Sequence, residues 1–204
     1  MNPFEPVVLT GAHVRLEPLA AEHVPGLVAA ATEERSTYQW TPVPGDAAAI
    51  RRYVELAARE REAGRRLVFA TVDVAESRPV GSTSFLDPQR WPGHETEVRL
   101  DSVEIGATWL AASAQRTATN TEAKLLMLDH AFTRFGVHRV VLNTDERNER
   151  SRAAIARIGA TFEGILHGYR MGVEGTPRNT ATFAITARDW PEARARLAAR
   201  LNRE

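Results

Sequence analysis

The sequence predicts an α/β fold, a mixed sheet with flanking helices, and three observations carry that prediction. "SVEIGATWL" and "HRVVLNTD" are strand-like runs separated by one helix-period segment. A strand, a helix and a strand in that order form a crossover unit whose two strands run parallel. Earlier in the chain, "RLVFATVD" and "PVGSTSFLD" close on a short turn near 77–79, the pattern of an antiparallel hairpin. Later, "TFEGILHGYR" and "TATFAITA" flank the turn-rich "MGVEGTPRN", a second hairpin. A parallel centre between antiparallel hairpins makes the sheet mixed.

The elements follow in order. In "GAHVRLEPL", Val14 and Leu16 alternate with Arg15 and Glu17, so this is a half-buried strand. "AEHVPGLVAAATEE" is a short helix weakened by Pro25 and Gly26. "TPVPGD" is a loop whose Asp46 caps the next helix. There Ile50, Tyr53, Val54 and Ala57 form an apolar stripe, and Gly64 ends it. After the first hairpin, "DPQRWPGHETEVRLD" reads as a loop or irregular edge. Simple alternation divides the next strand into two faces, Val103, Ile105, Ala107 and Trp109 against Glu104, Gly106, Thr108 and Leu110. The crossover helix "TEAKLLMLDHAFTRF" stacks Leu125, Leu128, Phe132 and Phe135, is apolar almost all round, and stops at Gly136. "NERSRAAIARIGA" is a further helix ended by Gly159, and "DWPEARARLAARLNR" is a terminal one.

The chain has 204 residues, which fits one domain over 1–204 with enough core to fold unaided. Its 26 basic and 26 acidic residues balance, so no excess of positive charge draws it to nucleic acid or an anionic membrane. Having 0 cysteines, it lacks disulfides, thiolate metal sites and a cysteine nucleophile. No basic segment precedes an apolar run at the start and no stretch is apolar enough to span a bilayer, so a cytoplasmic location is expected.

Few residues stand out as chemical. Glu104 is a carboxylate in a central strand, where burial is costly unless the group is paired or used. It is either a general base whose pKa is raised by desolvation, or a salt-bridged or solvent-facing residue. Ser151 shares a helix stripe with Ile155 and Ile158, so its hydroxyl points toward the sheet, and it either caps locally or touches a ligand. Asn148 has the same two readings. The six histidines show no metal spacing, and His130 and His138 have no legible carboxylate partner. "SAQRTATNTEAK" joins strand to helix where phosphate loops often lie, yet it contains no glycine.

These pieces together resemble a known family. "VEIGATWL", a loop opening with "QRTATN", a helix, and "HRVVLNTDERNERSRAAIARIGATFEG" are similar to the GCN5-related N-acetyltransferases (GNAT). "RNERSRAAIARIGATFEGILHGYR" and the early "GAHVRLEPLAAEHV" resemble the branch of ribosomal-protein N-terminal acetylases. The likeness runs from about Leu9 to Trp190. One departure stands in the loop: the family's glycine positions fall on Ala118 and Asn120 in the run Gln115, Arg116, Thr117, Ala118, Thr119, Asn120.

The resemblance implies a twisted mixed sheet splayed open between the strand at Glu104 and the strand at Val140, with acetyl-CoA in the gap and no metal. Its pantetheine arm is expected to pair with the backbone near Trp109, Leu110 and Ala111. Its pyrophosphate is expected on the loop from Gln115 to Asn120 and on a helix starting near Thr121. Asn143, Asn148 and Ser151 match positions that touch the cofactor. Ser151, or Tyr169 if it turns inward, is implied as the acid for the leaving thiolate, and Glu104 as the base. The implied partners are acetyl-CoA and an amine acceptor, either a protein N-terminus or a small molecule, with a homodimer left open. Acceptor choice falls to the first helices, the "DPQRWPGHETEV" loop, where Glu95 and Glu97 hint at an acidic rim, and the "RMGVEGTPRN" turn. A non-catalytic acyl-CoA sensor on the same fold is the rival reading.

Overall fold

The structure is a computed structural model that describes residues 2–93 and 100–202. Eight strands form one sheet in the order β1-β2-β3-β4-β5-β6-β8-β7. They are β1 (Leu9–Thr10), β2 (Val14–Pro18), β3 (Arg66–Asp73), β4 (Arg78–Gln89), β5 (Ser102–Leu110), β6 (Arg139–Asp145), β7 (Thr161–Met171) and β8 (Pro177–Thr186). Among the described residues only β5 and β6 pair in parallel, and every other pair is antiparallel. The mixed sheet, both hairpins and the crossover thus follow the periodicities in the sequence.

Five α-helices flank it: α1 (Val24–Thr32), α2 (Ala47–Glu62), α3 (Ala118–His130), α4 (Glu149–Arg157) and α5 (Trp190–Leu201). Two apolar cores lie on opposite faces. One joins Leu16, Phe69, Phe85, Val103 and Ile105 to Met127 and Leu128 of α3 and Trp190 and Leu197 of α5. The other joins Val68, Ala70 and Val80 to Leu27 of α1 and Ile50 and Ala57 of α2. Asp46 caps α2 through Ala49 N at 2.8 Å, as its position implied. Pro25 stands in the first turn of α1, where a missing N–H costs nothing.

Three expectations shift. The crossover helix begins at Ala118 rather than near Thr121, because the Thr117 side chain caps it by accepting from Thr119 N. Its last turn, Ala131–Phe135, widens into a π-helix before Gly136 takes a left-handed φ of 67° and ends it. The alternation along β5 also fails at Ala107, whose φ is +48°. The register against β4 jumps there from Ser84↔Gly106 to Ser82↔Trp109, so Ala107 is an extra, bulged residue. Trp109 therefore leaves the face of Val103 and Ile105 and joins the α1–α2 core.

The bulge positions the site. β5 and β6 pair only at Ser102↔Arg139, Val103↔Val140 and Glu104↔Val141. Beyond Glu104, β5 stays with β4 and β6 stays with β8, so the sheet opens between Ile105–Leu110 on one side and Leu142–Asp145 on the other. Gly81 makes the β4 contact possible, since a Cβ there would sit 2.2 Å from the Trp109 carbonyl oxygen.

Candidate active site

The opened sheet forms a cavity of about 510 Å³ lined by residues of β5, β6, α3 and α4. Glu104 sits at the vertex of the opening, the last β5 residue paired with β6, just outside the cavity lining. Its carboxylate is buried, accepting from Asn143 Nδ2 at 2.7 Å and from Arg170 Nη2 at 2.8 Å. Arg170 also holds Asp87. Burial raises the Glu104 pKa above the ordinary carboxylate range, although Arg170 and Asn143 pull against it. Glu104 is thus salt-bridged, with its pKa raised by burial. Asn143 lines the cavity beside it.

The glycine-free loop is braced rather than loose. Gln115 donates to Leu110 O at 2.9 Å and Thr37 Oγ1 at 3.1 Å, and accepts from Arg150 at 3.0 Å. Its side chain is a strut between loop, strand and α4. The left-handed residue is Arg116, with φ +63°, whereas Ala118 and Asn120, which hold the family's glycine positions, lie in the first turn of α3. That resolves the missing glycines: both positions are helical and need none. Arg116, Thr117, Asn120 and Thr121 line the cavity. Ala118 and Thr119 face a separate groove near Ala12 and Asp73, so their side chains do not reach it.

Trp109 and Leu110 line the cavity, and Ala111 N instead bonds Val80 O at 2.7 Å. The Leu110 carbonyl is occupied, taking Tyr38 Oη at 3.0 Å as well as Gln115. Asn148 is the α4 cap, accepting from Ser151 N at 3.0 Å. Ser151 itself lines the cavity. Tyr169 is 49% exposed and outside the cavity lining, with the Arg170 guanidinium over its ring, so it does not turn inward. Glu95 and Glu97 lie outside the described residues.

Several cavity residues escaped the sequence reading. Lys124 is buried, donates to Thr108 Oγ1 at 2.7 Å and Thr83 Oγ1 at 3.1 Å, and burial lowers its pKa to about 7. Its signal was a lone cation at the i, i+3, i+7 positions Thr121, Lys124 and Leu128 of a buried helix. Arg178 was hidden in a segment that reads as a turn. Trp40, under the Arg147 guanidinium at 4.0 Å, lines the cavity from the α1–α2 loop.

The family model of the acetyltransferase (GNAT) domain matches residues 13–161. The chain belongs to the GNAT acetyltransferase family. It is an acetyl-CoA-dependent N-acetyltransferase. A GNAT from Brucella melitensis is 27% identical, with a TM-score of 0.81 over 97% of this chain and 86% of that one. Mycobacterium smegmatis RimJ, solved in complex with a CoA disulfide, is 25% identical, with a TM-score of 0.77 over 96% and 93%. RimL, a ribosomal L7/L12 α-N-protein acetyltransferase solved with coenzyme A, shares the fold at 18% identity and a TM-score of 0.71, over 88% and 98%. No curated protein sequence matches the chain. No helix among the described residues is long and apolar enough to cross a membrane.

Proposed function

We propose that this GNAT enzyme binds acetyl-CoA from the α3 side of the opened sheet and the acceptor amine from the opposite face, with Glu104 as general base. The observation that carries this reading is a buried, desolvated carboxylate at the vertex of the opening, hydrogen-bonded to a cavity residue. A protonated amine has no lone pair, so a base must take its proton; a positioned one is worth roughly 10²–10⁴ in rate. Asn143 orients the Glu104 carboxylate and relays its position to the cavity wall.

The donor supplies an activated thioester carbonyl. The amine nitrogen bonds to that carbon, the carbon–sulfur bond breaks, and the amine proton passes to Glu104 through a bridging water. Ser151, on the α4 wall of the cavity, protonates the departing thiolate. Backbone N–H groups of the first turn of α3 that the Thr117 cap leaves open, with the Arg116 cation, hold the pyrophosphate. The pantetheine arm runs along the edge of β5 that leaves β6, at Trp109 and Leu110, with the Leu110 carbonyl already held by Tyr38 and Gln115. The acceptor is a protein N-terminus, as for RimL, or a small amine.

An acetyl-CoA consumption assay over N-terminal peptides and small amines tests this. The expected outcome is amine-dependent thiol release that Glu104→Gln cuts by about a hundredfold or more while CoA affinity stays unchanged. Unchanged turnover in that variant on the true acceptor removes Glu104 from the role.

A further inference from the structure

Charge divides the opening into two ends. The cavity lining carries Lys124 and five arginines, Arg116, Arg150, Arg157, Arg178 and Arg200, and no carboxylate. Such a wall suits phosphates and repels an ammonium group, so the amine is drawn to the vertex, where Glu104 lies just outside the lining. Two lining residues reach that carboxylate. Asn143 donates to Glu104 Oε2 at 2.7 Å. Gly106 lies under Oε1, which stands 2.7 Å from where a Cβ on Gly106 would be. Gly106 has no positive φ, so it supplies space there rather than conformational freedom. Oε2 also takes Arg170 Nη2 at 2.8 Å, whereas Oε1 takes a longer bond, from Arg170 Nη1 at 3.4 Å.

Register brings these groups together. β5 and β6 last pair at Glu104↔Val141. Two residues further on each strand, Gly106 and Asn143 belong to the same face as that pair and are the first to stand across the gap on it. Ile105 and Leu142, between them, point the other way into the core under α3. Gly106, Asn143 and the Glu104 carboxylate thus enclose a notch at the vertex, on the face away from α3. The notch holds an unused acceptor: Asn143 Oδ1 is buried and has no hydrogen-bond partner among the described residues. A carboxylate only accepts, so the amide turns Nδ2 toward Glu104 and is left with Oδ1 free. The other orphaned atoms on lining residues, Trp109 Nε1 and Arg178 Nε, are donors and cannot take an amine hydrogen. Buried polar atoms almost always find partners, and an acceptor without one at the vertex of a substrate cavity points to the ligand.

The distances suit one nitrogen. An amide's oxygen and nitrogen lie about 2.2 Å apart, so Oδ1 stands within about 5 Å of Glu104 Oε2. A nitrogen bonded to Oδ1 at about 2.9 Å is then one water molecule away from the carboxylate. Resting on the transferase reading above, we infer that Asn143 is an acceptor-binding residue: the attacking nitrogen sits in the notch at Gly106, gives one N–H to Asn143 Oδ1, and passes its other proton to Glu104 through the bridging water. The hydrogen on Asn143 stays on nitrogen and becomes the N–H of the product amide. The free amine therefore needs two hydrogens, so the site takes primary amines and rejects N-alkylated ones.

The test is thiol release from acetyl-CoA with small primary amines and with peptide amides beginning in Ser or Ala, each beside its N-methyl counterpart. The expected result is a primary amine preferred by about tenfold or more in kcat/KM. Asn143→Leu keeps the volume, removes the oxygen and brings that ratio close to one. An N-methyl amine used as well as its parent overturns the inference. So does a ratio that survives Asn143→Leu, since the methyl group is then excluded by shape alone. Gly106→Ala is expected to cut turnover of every amine by about tenfold or more with CoA affinity unchanged; full turnover in that variant places the amine elsewhere and overturns the notch. If Asn143→Leu does not fold, the wild-type ratio and Gly106→Ala decide. Equal use of both amines, with turnover still lost in Glu104→Gln, leaves the transferase reading standing and removes this one; CoA binding with no turnover of any amine removes both.

Discussion

Asn148 caps α4 and lines the cavity, and Ser151, whose N–H it caps, lines the cavity beside it. On the proposed reading the Ser151 hydroxyl serves the leaving thiolate. Asn148→Ala is expected to cost about 0.5–2 kcal/mol of stability. Ser151→Ala is expected to keep its melting temperature and lose kcat, seen by thermal melts beside turnover; a destabilised but fully active Ser151→Ala reverses the assignment. Lys124 gives a second residue-scale prediction. In the unfolded chain a lysine stays protonated to about pH 10.4, whereas burial holds Lys124 near 7 in the fold. The buried ammonium therefore destabilises the protein fully below about pH 7, and the penalty fades as pH rises from 7 toward 10. Thr83 and Thr108 bond each other at 2.8 Å and stay partnered without the lysine. Lys124→Met should melt above wild type at pH 6, with the gap closing by pH 10; a gap that ignores pH contradicts the burial cost.

At the scale of elements, the legible features were those with a period. The hairpins, the crossover and the helix stripes could be read because each repeats a signal over many residues. The bulge at Ala107 could not, since it is one fault of alternation whose position depends on the register with β4. Arg178 was missed for a related reason: β8 begins at Pro177, and a proline beside a turn-rich run masks a strand start. Glu104 was legible because a lone carboxylate in an apolar strand needs explaining, but its Arg170 partner lies 66 residues away and no local pattern reveals it. The loop before α3 yields the prediction for this scale. Arg116 holds a left-handed conformation that costs an ordinary residue about 1–2 kcal/mol. Arg116→Gly should therefore stabilise the protein while weakening CoA binding, and Arg116→Glu should weaken CoA binding by about tenfold or more. Pantetheine lacking the phosphates should bind all three proteins alike by calorimetry. Equal weakening of both ligands would assign the loop a purely structural part.

Across the whole molecule, two cores cover opposite faces of one sheet. One joins both arms of the sheet to α3, α4 and α5, and the other packs the β3–β4 arm on α1 and α2. The opening is a product of this packing rather than of any single loop, and on the proposed reading donor and acceptor meet in it from two sides. Such a geometry implies transfer within a ternary complex, with no acetyl group parked on the enzyme, even though Lys124 lines the cavity as a partly neutral amine. The measurement that tests this most directly is initial velocity with acetyl-CoA and amine varied together. Direct attack predicts double-reciprocal lines that intersect; parallel lines, with an acetylated enzyme trapped in the absence of amine, would contradict it.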